Sequence, residues 1–250
     1  MSRIQFNPAF VRTKNVRNFE MMMDSLSLAD GEGRFGLVWG QAGRGKTRTA
    51  TWWHANHRST YLQTRHVWRT SEGEFLFALA KELGVTSPAR RKGPVFAQVA
   101  DHLARDPQPV FIDEIERMPP GFLEIVRDLT NITGAPFVLI GEDELVTAMR
   151  RNRRVWSRVY QQLHFIPITA SDIICYVRDT TGLQLSPEVA AILEKGHATA
   201  GIDDGNFRIV KRAVIPLVEI ANVSRKNGDG GVAITAKMAQ EALRYGLSGR

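Results

Sequence analysis

Apolar positions recur along this chain in two periods, and the switches between them mark its elements. Val16, Phe19, Met22, Met23 and Leu26 fall at helical spacing and predict a first helix over 14–29, broken by Asp30–Gly33. Its methionine triplet, 21–23, reads as gap-filling core. Short apolar runs then predict strands at Phe35–Trp39, Ser59–Gln63, Pro109–Asp113, Pro136–Ile140 and His164–Pro167. Helical patterns lie between them, opening at Arg48–His54 and continuing over 72–83, 95–103, 121–131 and 142–153. The helix over 72–83 carries apolar Phe75, Leu76, Leu79, Ala80 and Leu83 and stops at Gly84. Strands separated by helices predict an α/β fold, a parallel five-stranded sheet with helices on both faces.

After about residue 168 the strand pattern stops. Helices are expected over 171–180, 187–197, 206–224 and 235–245, with Ser171-Asp172 and Ser186-Pro187 as starts and Asn227–Gly231 as a loop. The expected organisation is therefore two parts. Residues 1–168 form an extended arm (1–13) and an α/β domain, and residues 169–250 form a C-terminal helical subdomain.

At 250 residues and 43% hydrophobic content, the chain can bury one sizeable core with a small satellite. No apolar run reaches the ~18 residues of a membrane span, and Met1–Pro8 lacks the apolar centre of a signal peptide. The single cysteine, Cys175, sits in an apolar helical pattern and reads as core, which excludes a disulfide framework or zinc spacing. A cytoplasmic protein with no membrane partner is expected. The net charge of +7 and pI near 9.8 point to a polyanionic partner, of which nucleic acid is the leading class.

Chemistry enters at Gly40–Thr47, which fits G-x-x-x-x-G-K-[ST], between a predicted strand and a predicted helix. That context aims backbone N–H groups at an anion. Gly40, Gln41, Ala42, Gly43, Arg44, Gly45, Lys46, Thr47 and Arg48 are the expected nucleotide-binding residues, with ATP and Mg²⁺ as cofactors. Lys46 is expected on the β- and γ-phosphates, and the Thr47 hydroxyl on Mg²⁺. Val110–Glu114 completes the pattern: a buried strand ends in two acids at the sheet edge where ligands of α/β folds bind. Asp113 is expected to hold Mg²⁺ through water, and Glu114 to polarise the attacking water.

Arginines supply the remaining candidates. The run Arg150–Arg158 precedes the last expected strand. Arg158, or Arg154 after it, suits a finger reaching a neighbouring subunit's γ-phosphate, and the alternative is a basic face in solvent or on DNA. Arg208, in Gly205–Arg208 at a helix start, is placed to swing onto the phosphates. Arg65 and Arg69, interleaved with His66 and Trp68, and the cluster Arg90, Arg91 and Lys92 are the DNA-binding candidates, with Lys211 and Arg212 as a further cluster.

In this order these motifs resemble the AAA+ ATPases over nearly the whole chain. Within that superfamily, Phe10–Thr13, Leu37–Thr47 and Phe75–Gly84 are similar to the transposition B proteins of Mu-like phages and related transposition regulators. The resemblance implies an AAA+ P-loop fold whose helical part is a lid. It also implies ATP-dependent binding to double-stranded DNA with little sequence preference, self-assembly into a helical filament or ring, and delivery of target DNA to a transposase that stimulates hydrolysis. The phage Mu protein carries a helix-turn-helix domain ahead of its core, so here target handling is expected to rest on the core. The residue that senses the γ-phosphate in many AAA+ proteins is left open, since Ile140-Gly141-Glu142-Asp143 offers only Glu142. Rival readings are an AAA+ motor of a secretion or pilus system and a non-hydrolysing nucleotide-gated adaptor, against which Glu114 stands. A small-molecule kinase lacks an acceptor-binding motif.

Overall fold

The computed structural model describes residues 3–29, 34–196, 206–226 and 233–247. The expected breaks at Asp30–Gly33 and Asn227–Gly231, together with His197 and Gly205, lie outside the described residues. Contacts divide the chain into two compact units. One comprises residues 16–41 and 45–165; the other comprises residues up to 15, 42–44, and 166 onward.

The first unit is built on five strands: β1 (Phe35–Trp39), β2 (Thr60–Gln63), β3 (Val110–Asp113), β4 (Phe137–Gly141) and β5 (Val159–His164). They pair in parallel in the order β2-β3-β4-β1-β5. The interior strands β3 and β4 are buried along their whole length, which is why they read as unbroken apolar runs. Alternation divides each strand between two cores. Phe35, Leu37, Ile112 and Leu139 face one core with α3 (Glu72–Glu82), α4 (Lys92–Arg105) and α5 (Pro120–Thr133). Val38, Phe111, Val138 and Ile140 face the other, against Phe19, Met22, Met23 and Leu26 of α1 (Lys14–Leu28) and Ala50 of α2 (Lys46–Asn56).

Several boundaries differ from the sequence pattern. The last strand is not 164–167 but β5, five residues earlier. Pro167 has no amide to donate to a ladder, and at this sheet edge polar Tyr160 and Gln162 alternate outward, so no apolar run marks the strand. The helix over 142–153 is two: α6 (Asp143–Arg151) ends at Asn152, whose side chain accepts from the Val155 amide and caps the short α7 (Arg153–Trp156). The helix over 95–103 begins earlier, at Lys92, and accommodates Pro94 in its first turn, where a missing N–H costs nothing. Of the methionine triplet, Met22 and Met23 are core, but Met21 is 68% exposed.

The second unit contains α8 (Ala170–Thr181), α9 (Pro187–Lys195), α10 (Phe207–Lys226) and α11 (Ala236–Leu247) around Ile173, Val177, Leu193, Val210 and Leu217. Helix α8 is started by Thr169, not by Ser171: its side chain and that of Asp172 form a reciprocal capping box. Ser186 caps α9 with Pro187 in its first position. Cys175 packs partly buried against this core. The N-terminal arm, assigned to the α/β part by sequence, packs with the helices. Ile4 and Val11 are buried among them, and Ile4 exchanges two backbone–side-chain hydrogen bonds with Asn222, at 2.8 and 2.9 Å.

Candidate nucleotide site and basic groove

The glycine loop joins β1 to α2. Gly40, with φ +140°, lies so close to Phe165 that a Cβ there would come within 2.6 Å of its backbone oxygen. Gly45, with φ +95°, turns the chain into α2 in the left-handed region that glycine adopts without strain. Lys46, only 8% exposed, donates its ammonium to the carbonyls of Gly40 and Gln41. A buried cation in a ring of main chain at a helix N-terminus is an anion cradle. Thr47 and Arg48 are exposed at the mouth of the helix. Residues Ala42–Arg44 cluster with the helical unit: Asn206 Nδ2 donates to the Ala42 carbonyl at 3.1 Å and the Phe207 amide to that of Gly43 at 3.0 Å.

Asp113 ends β3, 1% exposed. Its Oδ2 accepts from Thr47 Oγ1 at 2.6 Å and from the Tyr61 hydroxyl at 2.7 Å; its Oδ1 accepts from the Glu114 amide at 2.9 Å. The juxtaposed hydroxyl and carboxylate are hard oxygen donors of the kind Mg²⁺ takes, so the donor set fits that ion. Burial, then the carboxylates of Asp113 and Glu114, push the Tyr61 phenol far above its ordinary range, and it remains a neutral donor.

Glu114 adopts a left-handed backbone (φ 59°, ψ 34°), which for a residue with a Cβ costs about 1–3 kcal/mol. Thr64 holds it there. The Thr64 amide donates to the Asp113 carbonyl at 2.9 Å, and its hydroxyl to the Glu114 carbonyl at 2.7 Å. The Glu114 carboxylate is ion-paired to Arg117 at 2.7 Å. Glu116 lies nearby with a buried Oε2 that has no hydrogen-bond partner. Burial raises its carboxyl above the usual range; the carboxylates of Glu142, Asp113 and Glu114 add to this, and its own backbone opposes it. Glu142 itself is exposed, directly after β4.

The arginine candidates separate in space. Arg158, half-buried, directly precedes β5, and its Nε donates to Asn131 Oδ1 at 2.7 Å. Arg154 lines a cavity of about 680 Å³ with Glu116, Glu124 and Arg151. Arg208 is exposed on the first turn of α10, its amide bonded to Asn206 Oδ1 at 2.9 Å. Lys211 and Arg212 are exposed further along that helix.

Three of the five DNA-binding candidates line one groove. Arg69, Arg90 and Lys92 share a surface groove of about 500 Å³ with Thr70, Ser71 and Gly73. Arg90 also stacks on the Phe77 ring at 4.1 Å, and Lys92 pairs with Glu72. Arg65 and Arg91 do not line the groove. Arg65 lies over the ring of Trp68 at 5.7 Å, and Arg91 is the residue before α4. Trp68 is buried, so it packs and does not offer a stacking face.

Tyr61, Thr64, Arg117, Asn131 and Asn206 stand outside the residues that the sequence motifs select. Tyr61 had one readable signal. It sits two residues before the end of β2, and strand residues two apart share a face. The others are polar residues whose partners are distant in sequence or hidden in turns.

A parallel sheet of this order, with a glycine loop after β1 and paired acids after β3, is the architecture of an AAA+ P-loop protein. A family model described as "AAA domain" matches residues 29–149. The ORC2 protein of Aeropyrum pernix shares the fold, with a TM-score of 0.66 over 98% of this chain and 70% of that one at 14% identity. The chain has the AAA+ P-loop fold, and it resembles the transposition B proteins of Mu-like phages. It is 27% identical over 201 residues to the Mu-like prophage FluMu DNA transposition protein B of Haemophilus influenzae, covering 78% of this chain and 69% of that protein. To the ATP-dependent target DNA activator B of Escherichia phage Mu it is 28% identical over 158 residues, 62% of this chain and half of that protein. General secretion pathway protein A of Aeromonas hydrophila matches at 29% identity over 188 residues, 69% of this chain but 34% of that protein.

Proposed function

We propose that this protein binds ATP with Mg²⁺, assembles with copies of itself on duplex DNA, hydrolyses the nucleotide and presents target DNA to a transposase in the cytoplasm. The observation that carries this reading is the Thr47–Asp113 hydrogen bond of 2.6 Å, which joins the two nucleotide motifs into one site, in a chain similar to phage proteins called target DNA activators. Residues 40–48 cradle the triphosphate, and Lys46 offsets its charge. Thr47 and Asp113 hold the Mg²⁺, which when bound screens the phosphate oxygens. Glu114 orients the attacking water once its carboxylate leaves Arg117. Arg158 of one copy and Arg208 of the nucleotide-bearing copy meet the charge that develops on the transferred phosphoryl group.

The basic groove of Arg69, Arg90 and Lys92 supports duplex DNA as the polyanion. Side chains of this type bind phosphates, which give affinity without sequence preference. The likeness to a secretion-pathway protein favours the rival motor reading, but it spans a third of that protein, and no helix among the described residues is long and apolar enough to cross a membrane. Electron microscopy with and without ATP and duplex DNA tests the proposal. Helical or ring assemblies are expected on DNA only with ATP, and absent for Lys46→Ala. ATP-bound protein that stays dispersed on DNA would overturn it.

A further inference from the structure

We propose that Tyr61 is a positioning residue for the divalent cation, acting through Asp113. The inference rests on the reading of Thr47 and Asp113 as the cation's holders.

Two hydroxyls converge on one carboxylate oxygen. Thr47 Oγ1 and the Tyr61 phenol both donate to Asp113 Oδ2, at 2.6 and 2.7 Å, while Oδ1 takes the Glu114 amide at 2.9 Å. A carboxylate oxygen has about two lone-pair sites in its plane, so these donors fill Oδ2 and fix the rotation of the group. Asp113 is 1% exposed, and no solvent substitutes for a missing donor there.

The strand register explains how Tyr61 arrives. Tyr61 pairs with Phe111, and Gln63 with Asp113, in the parallel β2–β3 ladder. Residues two apart share a face, so the phenol reaches along that face from the position beside Phe111 to Asp113. Its ring packs against the core of Phe19, Phe111 and Phe165, which anchors the hydroxyl. Phenylalanine fits the same packing, so the fold needs the ring and not the oxygen. The hydroxyl's task is to hold Asp113 with Oδ2 on the Thr47 hydroxyl, which leaves the remaining acceptor site, on Oδ1, for a water held by the cation.

The test is nucleotide binding, not turnover. A fluorescent ATP analogue is titrated into wild type, Tyr61→Phe and Asp113→Asn across a Mg²⁺ series and in its absence. Tyr61→Phe should raise the half-saturating Mg²⁺ about tenfold, the size of one hydrogen bond to a charged group. Its Mg²⁺-free nucleotide affinity should match wild type, and its far-ultraviolet circular dichroism should show the same folded state. Asp113→Asn should shift the Mg²⁺ dependence further. If Asp113→Asn shifts it and Tyr61→Phe does not, the assignment of Tyr61 is wrong. If neither shifts it, Asp113 does not hold the cation and both readings fall. An equal loss of affinity with and without Mg²⁺ in Tyr61→Phe would mean a damaged glycine loop, and would also overturn the proposal.

Discussion

The carbonyl of Arg158 accepts a hydrogen bond from the amide of Phe35 at 2.9 Å. That bond fixes Arg158 at the N-terminal edge of the parallel sheet, because Phe35 opens β1 and pairs with Val159. The glycine loop begins after Trp39, at the other end of β1. At about 3.3 Å per residue the two ends are roughly 15 Å apart. An arginine anchored there suits another copy's nucleotide, not its own. Arg158→Ala should leave ATP binding by the isolated subunit intact and depress DNA-stimulated hydrolysis by about 10³-fold. Mixing decides the point. Lys46→Ala subunits keep Arg158, Arg158→Ala subunits keep the cradle, and co-assembled mixtures should regain part of the activity. If co-assembly on DNA restores none, Arg154 is the next candidate.

Glu114→Gln should bind ATP as wild type does and turn over at least ~10²-fold more slowly, because an amide is a poor general base. The variant should accumulate as ATP-bound assemblies on DNA, measurable by sedimentation. Turnover at the wild-type rate would move the role of orienting water to another residue.

The groove makes a salt-dependent forecast. Removing one side chain that neutralises a phosphate makes the plot of log affinity against log salt shallower by about 0.9. Arg69→Ala and Arg90→Ala should each reduce the slope by about one, measured by anisotropy on unrelated duplexes, and weaken all sequences alike. Lys92→Ala should do less, since Lys92 is already paired with Glu72. Lys195→Ala, in the helical unit, is the control. A slope unchanged by both arginine variants would place the DNA elsewhere.

Glu116 gives a dependence on pH. A carboxyl whose folded pKa is raised keeps its proton to higher pH in the native state than in the unfolded chain. Between the ordinary range near pH ~4.3 and that raised value, the native state binds more protons, so stability falls as pH rises. Glu116→Gln removes the ionisation. Its melting temperature should exceed that of wild type at about pH 8 and converge with it at about pH 4, where both side chains are neutral. A variant less stable than wild type at the higher pH would show that the charged form is welcome in the fold.

The sequence determined what depends on neighbours along the chain. The glycine loop, the apolar strand ending in Asp113-Glu114 and the helical periods of α1, α3 and α8–α11 are each written in consecutive residues, because backbone geometry and burial act locally on them. Only tertiary structure decided the rest. Edge exposure moved β5 off the apolar run at 164–167 and onto a strand that alternates. The pairing of β2 with β3 brought Tyr61 to Asp113 across 52 positions. Packing gathered Arg69, Arg90 and Lys92 into one groove while leaving Arg65 stacked on a buried tryptophan. These are interactions between distant residues, set by which faces a sheet buries and which register its strands adopt, and no local pattern encodes them.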